Sequence, residues 1–331
     1  MAEDAARPGE FDLIARYLRP LADDPAALNL TDDAAAFVPP PGQSLVLTKD
    51  MVAAGVHFFP DDPAVSIARK ALRVNLSDLA AKGARPLGYL LGLALPADWT
   101  PGWMADFAAG LAGDQATYGI ALLGGDTVKA AGGLTLSITA IGAVPDGGMV
   151  RRAGAKAGDA IYVSGTIGDA ALGLRLRLGT LDGTSAGGGV AHLLDRYLHP
   201  QPRLALAEAV RLHAHAALDV SDGLVGDLGH MLKASGVGAR LEAGLVPLSD
   251  AARALAGSDP SALVSILSGG DDYEILAAVP LDRAAVFEAE AKAVGVPVTR
   301  IGTILAEPGA PQVVDGEGRA IHLARASHDH F

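Results

Sequence analysis

Val74-Asn75-Leu76-Ser77-Asp78-Leu79-Ala80-Ala81 sets polar side chains into the middle of an otherwise apolar run. Ser66 is placed as an N-cap, and Ile67, Ala71, Leu72, Leu76, Leu79 and Ala80 recur at helical spacing. Gly83 followed by Pro86 supplies the stop, so the stretch reads as a buried helix. Asn75, Asp78 and Lys82 share one stripe of it. A carboxylate among so many apolar neighbours is costly unless it meets a cation, a metal or several donors. Two readings of Asp78 stand open here: an i, i+4 pair with Lys82, or a functional carboxylate.

On the N-terminal side, Ser44–Thr48 reads as a buried strand with Lys49-Asp50-Met51 at its carboxyl end, where α/β proteins commonly place ligands. His57 follows the flexible Gly55 and reads either as a structural hydrogen-bonding residue or as a substrate contact. Upstream, Glu10–Leu21 is an amphipathic helix, and Thr31-Asp32-Asp33-Ala34-Ala35 leads into a short strand and a Pro39-Pro40-Pro41-Gly42 turn. On the C-terminal side, Leu87–Leu95 is a strand ended by Pro96, and Trp103–Tyr118 is an amphipathic helix. A strand from Ile120 then runs into Gly124-Gly125-Asp126-Thr127, which reads either as a plain tight turn or as a loop where glycines admit an anion and the aspartate can hold a metal that neutralises it. Gly133–Val144 is a further strand, and a glycine-rich turn at Pro145–Gly148 predicts a domain boundary, giving domains 1–148 and 149–331.

The second half repeats the theme. Arg151-Arg152 opens a small basic cluster suited to phosphate, although a solvated loop explains it equally well. Ala160–Ser164 is a strand before Gly165-Thr166-Ile167-Gly168-Asp169, a helix start with anion-friendly amides that matches neither a Walker A loop nor a dinucleotide fingerprint. Leu181–Gly189 reads as a mobile glycine-rich loop. Asp219 and Ser221 fall on one side of a strand end, with Asp222 and Gly223 turning into a helix. Ser268-Gly269-Gly270-Asp271-Asp272-Tyr273-Glu274 is a polar loop between two apolar runs.

Composition narrows the chemistry. With 331 residues, 50% of them hydrophobic, the chain can fill two cores. A net charge of −12 argues against a nucleic-acid surface, and the absence of cysteine excludes disulfides, thiolate catalysis and cysteine-held metals while suiting a cytoplasmic location. No apolar run is long enough for a membrane helix. Asp33, Asp50, Asp78, Asp126, Asp219 and Asp222 each lie within or at the end of an apolar element. An oxygen-only set selects hard cations, magnesium first, and beside glycine-rich loops and arginines it predicts ATP-dependent phosphoryl transfer.

The ordered motifs E-F-x-L-I, D-D-A-A, T-x-D-M-V-x-x-G-V-H-F, V-N-L-S-D-L-A-A, G-G-D-T, S-G-T-x-G-D-A-A-L-G-L, D-V-S-D-G-L and S-G-G-D-D-Y-E closely resemble the thiamine-monophosphate kinase family, from Glu10 to Phe331. The resemblance implies an α+β fold of two domains, each a mixed sheet covered by helices, of the aminoimidazole ribonucleotide synthetase-like architecture. It implies transfer of the ATP γ-phosphate to thiamine monophosphate in a homodimer joined through its N-terminal sheets, with the C-terminal domain completing the substrate contacts. Several Mg²⁺ ions are expected as cofactors, with K⁺ a further candidate. Carried over by position, Asp33, Thr48, Asp50, Asp78, Asp126, Asp219 and Asp222 resemble the magnesium ligands, and Gly125, Asp126, Arg152 and Ser221 the ATP contacts. His57, Asp271 and His328 resemble contacts to thiamine phosphate, while Asp50, Asp78, Asp126 and Arg152 stand as the catalytic group. Four positions depart from the family pattern: Lys49 for a hydroxyl residue, Thr31 for glycine, Asp271 for glutamate and His328 for an aromatic residue.

Overall fold

The computed structural model describes residues Arg7–Ile321, which divide into two compact units. The first holds the described residues up to Leu79 together with Arg85–Gly147; Ala80–Ala84 and the chain from Gly148 onward form the second.

In the first unit, α1 (Glu10–Leu13) continues through a π turn and a 3-10 turn to Leu21, burying Leu13, Tyr17, Leu18 and Leu21 as the amphipathic pattern requires. The expected short strand after Ala35 is not formed. Residues 35–40 carry no regular element, because the Pro39-Pro40-Pro41 run has no amide hydrogen to offer a ladder. β1 (Gln43–Ala53), α2 (Ala64–Ala81), β2 (Arg85–Leu95), α3 (Pro101–Tyr118), β3 (Ala121–Lys129) and β4 (Thr135–Pro145) follow. The sheet order is β1-β4-β2-β3, with only β4 antiparallel to its neighbours.

Helix α2 is buried nearly all round: Leu72, Asn75, Leu76, Ser77 and Leu79 are each fully inaccessible. It starts before Ser66, whose amide already bonds the Pro63 carbonyl at 2.8 Å, so Ser66 sits in the first turn rather than at the cap. Helix α3 begins at the Thr100 cap with Pro101 in its first turn, and Arg73 ties it to α2 through two bonds to the buried Asp114, at 2.7 and 2.8 Å. Among the described residues, no helix of this unit covers the opposite face of the sheet. Leu47 there is 63% exposed and Met51 55%.

The second unit contains β5 (Ala160–Ser164), α4 (Asp169–Arg177), α5 (Val190–Leu198), α6 (Ala207–His213), β6 (Ala216–Asp219), α7 (Leu224–Ser235), β7 (Gly238–Glu242), α8 (Asp250–Ser258), α9 (Pro260–Ser268), β8 (Ile275–Val279), α10 (Leu281–Ala293), β9 (Val298–Leu305) and β10 (Pro311–Val314). Its sheet runs β10-β7-β9-β5-β8-β6. Strands β5, β6 and β8 are buried on both faces and therefore read as continuous apolar runs. Alternate residues feed two cores: Ile161 and Val163 pack on one side, Ala160 and Tyr162 on the other. Residues 184–189 form a 3-10 segment, and Leu181 beside it is buried. Both sheets are mixed and covered by helices, the α+β class expected from the motifs.

Candidate active site

Asp50 sits inside β1, short of its end at Ala53, because the strand extends past the SLVLT run expected to contain it. The pleat directs Thr48 and Asp50 away from the exposed row of Leu47, Lys49 and Met51. There they meet α2. The Thr48 hydroxyl donates a short hydrogen bond to Asp78 Oδ2, and the Asp50 amide donates to Asn75 Oδ1 at 3.1 Å. Asn75 Nδ2 in turn donates to the Ala71 carbonyl at 3.1 Å. The buried amide side chain thus fixes the register between helix and strand that brings Thr48, Asp50 and Asp78 onto one face. Lys82 reaches the Ala217 carbonyl at 2.8 Å.

The Gly124-Gly125-Asp126-Thr127 loop is corrected: these residues lie within β3. The glycines serve close strand approach instead of a turn. The β2–β3 register shifts just ahead of them, and a Cβ on Gly125 would stand 1.9 Å from the Leu91 carbonyl oxygen. Asp126 pairs with Gly92, Gly92 with Ser137 and Ser137 with Met51, so its lateral row is the exposed one. The neighbouring row of Asp50, Ile138 and Leu91 faces the helices. Asp126 is therefore on the open face and at the far edge from Asp50, so the structure does not gather all the first unit's acids in one place. Asp33 is exposed, and the Pro25–Leu30 segment preceding it packs along β3. Leu28, Asn29 and Leu30 all take positive φ, a strained approach to the acid pair. His57 Nδ1 accepts from the Ala53 amide at 3.1 Å, which closes the turn after β1.

In the second unit, two loops are laced together. Asp271 N donates to the Ser221 carbonyl at 2.9 Å, Tyr273 N to Val220 O at 2.8 Å, and Val220 N to Glu274 O at 2.8 Å. This joins Asp219, Ser221 and Asp222 to the segment carrying Asp271. Asp271 and Tyr273 have φ of 71° and 52°, left-handed conformations uncommon for non-glycine residues. Gly270 cannot be replaced cheaply here, since a Cβ would lie 2.2 Å from the Ser221 carbonyl oxygen. Asp227 in the first turn of α7 accepts from the amides of Ser221 at 3.1 Å and Asp222 at 2.9 Å. Burial pushes its carboxyl up to about 7, against those two bonds and nearby Arg152, which favour the charged form.

Gly165–Asp169 is not an open phosphate cradle. Gly165 N bonds Pro297 O at 2.9 Å, Ile167 N bonds Pro247 O at 2.9 Å, and Gly168 N donates to Asp272 Oδ2 at 2.8 Å, so these amides are committed within the fold. Below the loop lies a buried ionic network. Glu274 accepts from Ser164 at 2.6 Å, Arg196 at 2.9 Å and Arg203 at 2.7 Å. Asp272 is buried beside it, and burial raises its carboxyl well above the usual range. Asp227, Glu274, Arg196 and Arg203 were not singled out in the sequence. Asp227 had a signal, an acid in the first turn of a helix just after D-V-S-D-G-L, whereas the arginines that meet Glu274 are remote in the chain.

The donor chemistry suits a hard divalent cation: Thr48, Asp50 and Asp78 on one face, Asp219 and Asp222 on another, all oxygen. Among the described residues no three acidic or histidine side chains are grouped closely enough to hold a metal by themselves. Magnesium is commonly held by one or two carboxylates plus substrate phosphates, and the pair Asp50 and Asp78 fits that mode. His328 lies outside the described residues.

Comparison with known proteins adds a family. Residues 31–144 match the AIR synthase related protein N-terminal domain and residues 156–314 the corresponding C-terminal domain. The thiamine-monophosphate kinase of Caulobacter vibrioides is 47% identical over 322 residues, covering 96% of this chain and 87% of the relative. The crystal structure of thiamine-monophosphate kinase from Stenotrophomonas maltophilia K279a superposes with a TM-score of 0.83 at 42% identity, covering 95% of this chain and 98% of that one. AaThiL complexed with AMPPCP and TMP gives 0.77 at 29% identity, covering 91% of both chains.

Proposed function

This chain belongs to the thiamine-monophosphate kinases, within the AIR synthase-related family, and we propose that Asp50 and Asp78, held with Thr48 on one face of the first unit, are the centre of its chemistry. The enzyme phosphorylates thiamine monophosphate with ATP, giving thiamine diphosphate and ADP. The single observation that carries the residue assignment is the Thr48 to Asp78 bond across β1 and α2, beside Asp50 anchored by the buried Asn75.

The bond between the γ-phosphorus and the β–γ bridging oxygen breaks, and a new P–O bond forms to the acceptor's phosphate oxygen. ADP leaves with the electron pair. The acceptor is a phosphate monoester, largely dianionic at neutral pH, so transfer requires no general base. It requires positioning and screening of two anions. Magnesium held by Thr48, Asp50 and Asp78 would supply that screening, and Asp33, Asp126, Asp219 and Asp222 are proposed as ligands of further magnesium ions. Arg152 balances charge on the transferring group, Gly125, Asp126 and Ser221 contact ATP, and His57, Asp271 and His328 contact thiamine phosphate. Transfer is direct and in line, with no covalent phosphoenzyme. ADP release should depend on both magnesium and thiamine monophosphate; equal release with unphosphorylated thiamine would contradict the acceptor assignment.

Residues 1–148 are assigned ATP and magnesium binding and dimerisation, and 149–331 the remaining contacts to ATP and thiamine phosphate. A homodimer is supported by the open face of the first sheet, where Leu45, Leu47, Met51 and Leu90 are exposed. Leu47→Glu should convert a dimer to monomers in light-scattering chromatography, while a wild-type monomer would remove the assignment. No helix among the described residues is long and apolar enough to cross a membrane. A cytoplasmic location, with ATP and reduced surroundings, suits the cysteine-free chain.

A further inference from the structure

The basic segment Arg151-Arg152-Ala153-Gly154-Ala155-Lys156 ends beside a histidine that phosphoryl transfer does not use. Lys156 opens a tight turn in the second unit. Asp159 N donates to the Lys156 carbonyl at 3.0 Å, Gly158 takes a φ of 90°, and Asp159 Oδ2 accepts from the Lys156 amide at 2.8 Å. The residues before the turn are pinned from α7, where the Ser235 hydroxyl accepts from the amides of Gly154 at 3.1 Å and Ala155 at 3.2 Å. His215 leads into β6, with its amide bonded to the Ala278 carbonyl at 2.9 Å. Gly154 lies so close that a Cβ there would stand 2.6 Å from the His215 carbonyl oxygen. Turn, helix and strand therefore fix a lysine, an aspartate and a histidine on one patch.

Their side chains touch in sequence. His215 Nδ1 lies 3.0 Å from Asp159 Oδ2 and 3.1 Å from Oδ1, and Lys156 Nζ lies 3.3 Å from His215 Nε2. Asp159 is buried, His215 is partly exposed and Lys156 is exposed. A carboxylate accepts hydrogen bonds, so Nδ1 carries the ring proton and the lone pair of Nε2 faces the lysine. That is the order of a nucleophile, its base and the group that orients the base. Arg151, also exposed, runs alongside: its carbonyl accepts from the Ala217 amide at 3.0 Å, two residues along the chain from His215. Its charge and that of Lys156 favour an anionic reagent.

We propose that Lys156 is a site of covalent acylation, with an acyl phosphate as the donor and His215 as the base. The ammonium first passes one proton through the imidazole to solvent. As the amine lone pair forms the Nζ–C bond, Nε2 takes a second proton, and the C–O bond to phosphate breaks with phosphate leaving on the electron pair. Nothing is oxidised or reduced. The products are an amide-linked acyl-lysine and inorganic phosphate, and the step is independent of the kinase reading.

The test incubates the purified full-length chain with acetyl phosphate and follows acetylation at each lysine by peptide mass spectrometry. Lys156 should be acetylated about tenfold faster than Lys129, Lys233 and Lys292, which are also exposed; a positioned base contributes roughly 10²–10⁴-fold. His215→Gln keeps an acceptor for the lysine but cannot carry its proton. It should bring Lys156 down to the rate of the other three while leaving theirs unchanged. Equal rates at the four lysines of the parent chain, or an undiminished Lys156 rate in folded His215→Gln, would overturn the assignment. The comparison within the parent chain needs no variant, so a substitution that damages the fold cannot hide the result.

Discussion

Asp78→Asn should lower kcat/KM for magnesium-dependent phosphorylation by about a thousand-fold, equivalent to about 4 kcal/mol of transition-state stabilisation. The substitution is nearly isosteric, and an asparagine oxygen can still accept from the Thr48 hydroxyl that now bonds Asp78 Oδ2. Helix α2 keeps its apolar contacts through Leu72, Leu76 and Leu79, so the thermal midpoint should stay close to that of the parent. What disappears is one negative charge on a face shared with Asp50. Electrostatic organisation of a phosphoryl group is where such a charge matters most. Parent-like turnover at ordinary magnesium would remove Asp78 from the site. A collapse of the melting transition would show instead that the charge serves the fold.

Glu274→Ala should have the largest effect on stability, about 3–5 kcal/mol. Glu274 is fully buried and receives Ser164, Arg196 and Arg203, so truncation leaves two guanidinium groups facing an uncompensated cavity. It also frees the serine hydroxyl that accepts from the Ile275 amide at 2.8 Å, and with it the start of β8. The same strand connection holds Asp271 and Tyr273 in their left-handed conformations, so activity should fall with stability. Differential scanning calorimetry of the second unit's transition is the readout. Glu274→Gln keeps an acceptor for each arginine in turn and should lose less. An alanine variant within about 1 kcal/mol of the parent would show that the arginines find water instead.

Elements set by local pattern were legible in the sequence. The apolar strands, helices α2 and α3, and the glycine-punctuated D-V-S-D-G-L segment follow from periodicity and stop signals alone. The extent of β1 and β3 was not. Lys49-Asp50-Met51 and Gly124-Gly125-Asp126-Thr127 carry polar and glycine residues that locally argue for loops, while pairing with β4 and β2 continues the ladders through them. That error moved Asp126 as well: read as a loop it could turn toward Asp50, but held in register it shares the open row with Met51. Gly165–Asp169 misled in the opposite sense. Its glycines resemble a phosphate loop, yet its amides are spent on Pro297, Pro247 and Asp272, partners far off in the chain. The buried network around Glu274 was invisible for the same reason.

Phosphorus NMR of the purified chain with ATP, magnesium and thiamine monophosphate tests the central claim most directly. One ADP should accumulate for each thiamine diphosphate, with the monophosphate signal consumed in step and no inorganic phosphate released. ATP hydrolysed to ADP and free phosphate without any diphosphate ester, or a mixture left unchanged, would contradict it.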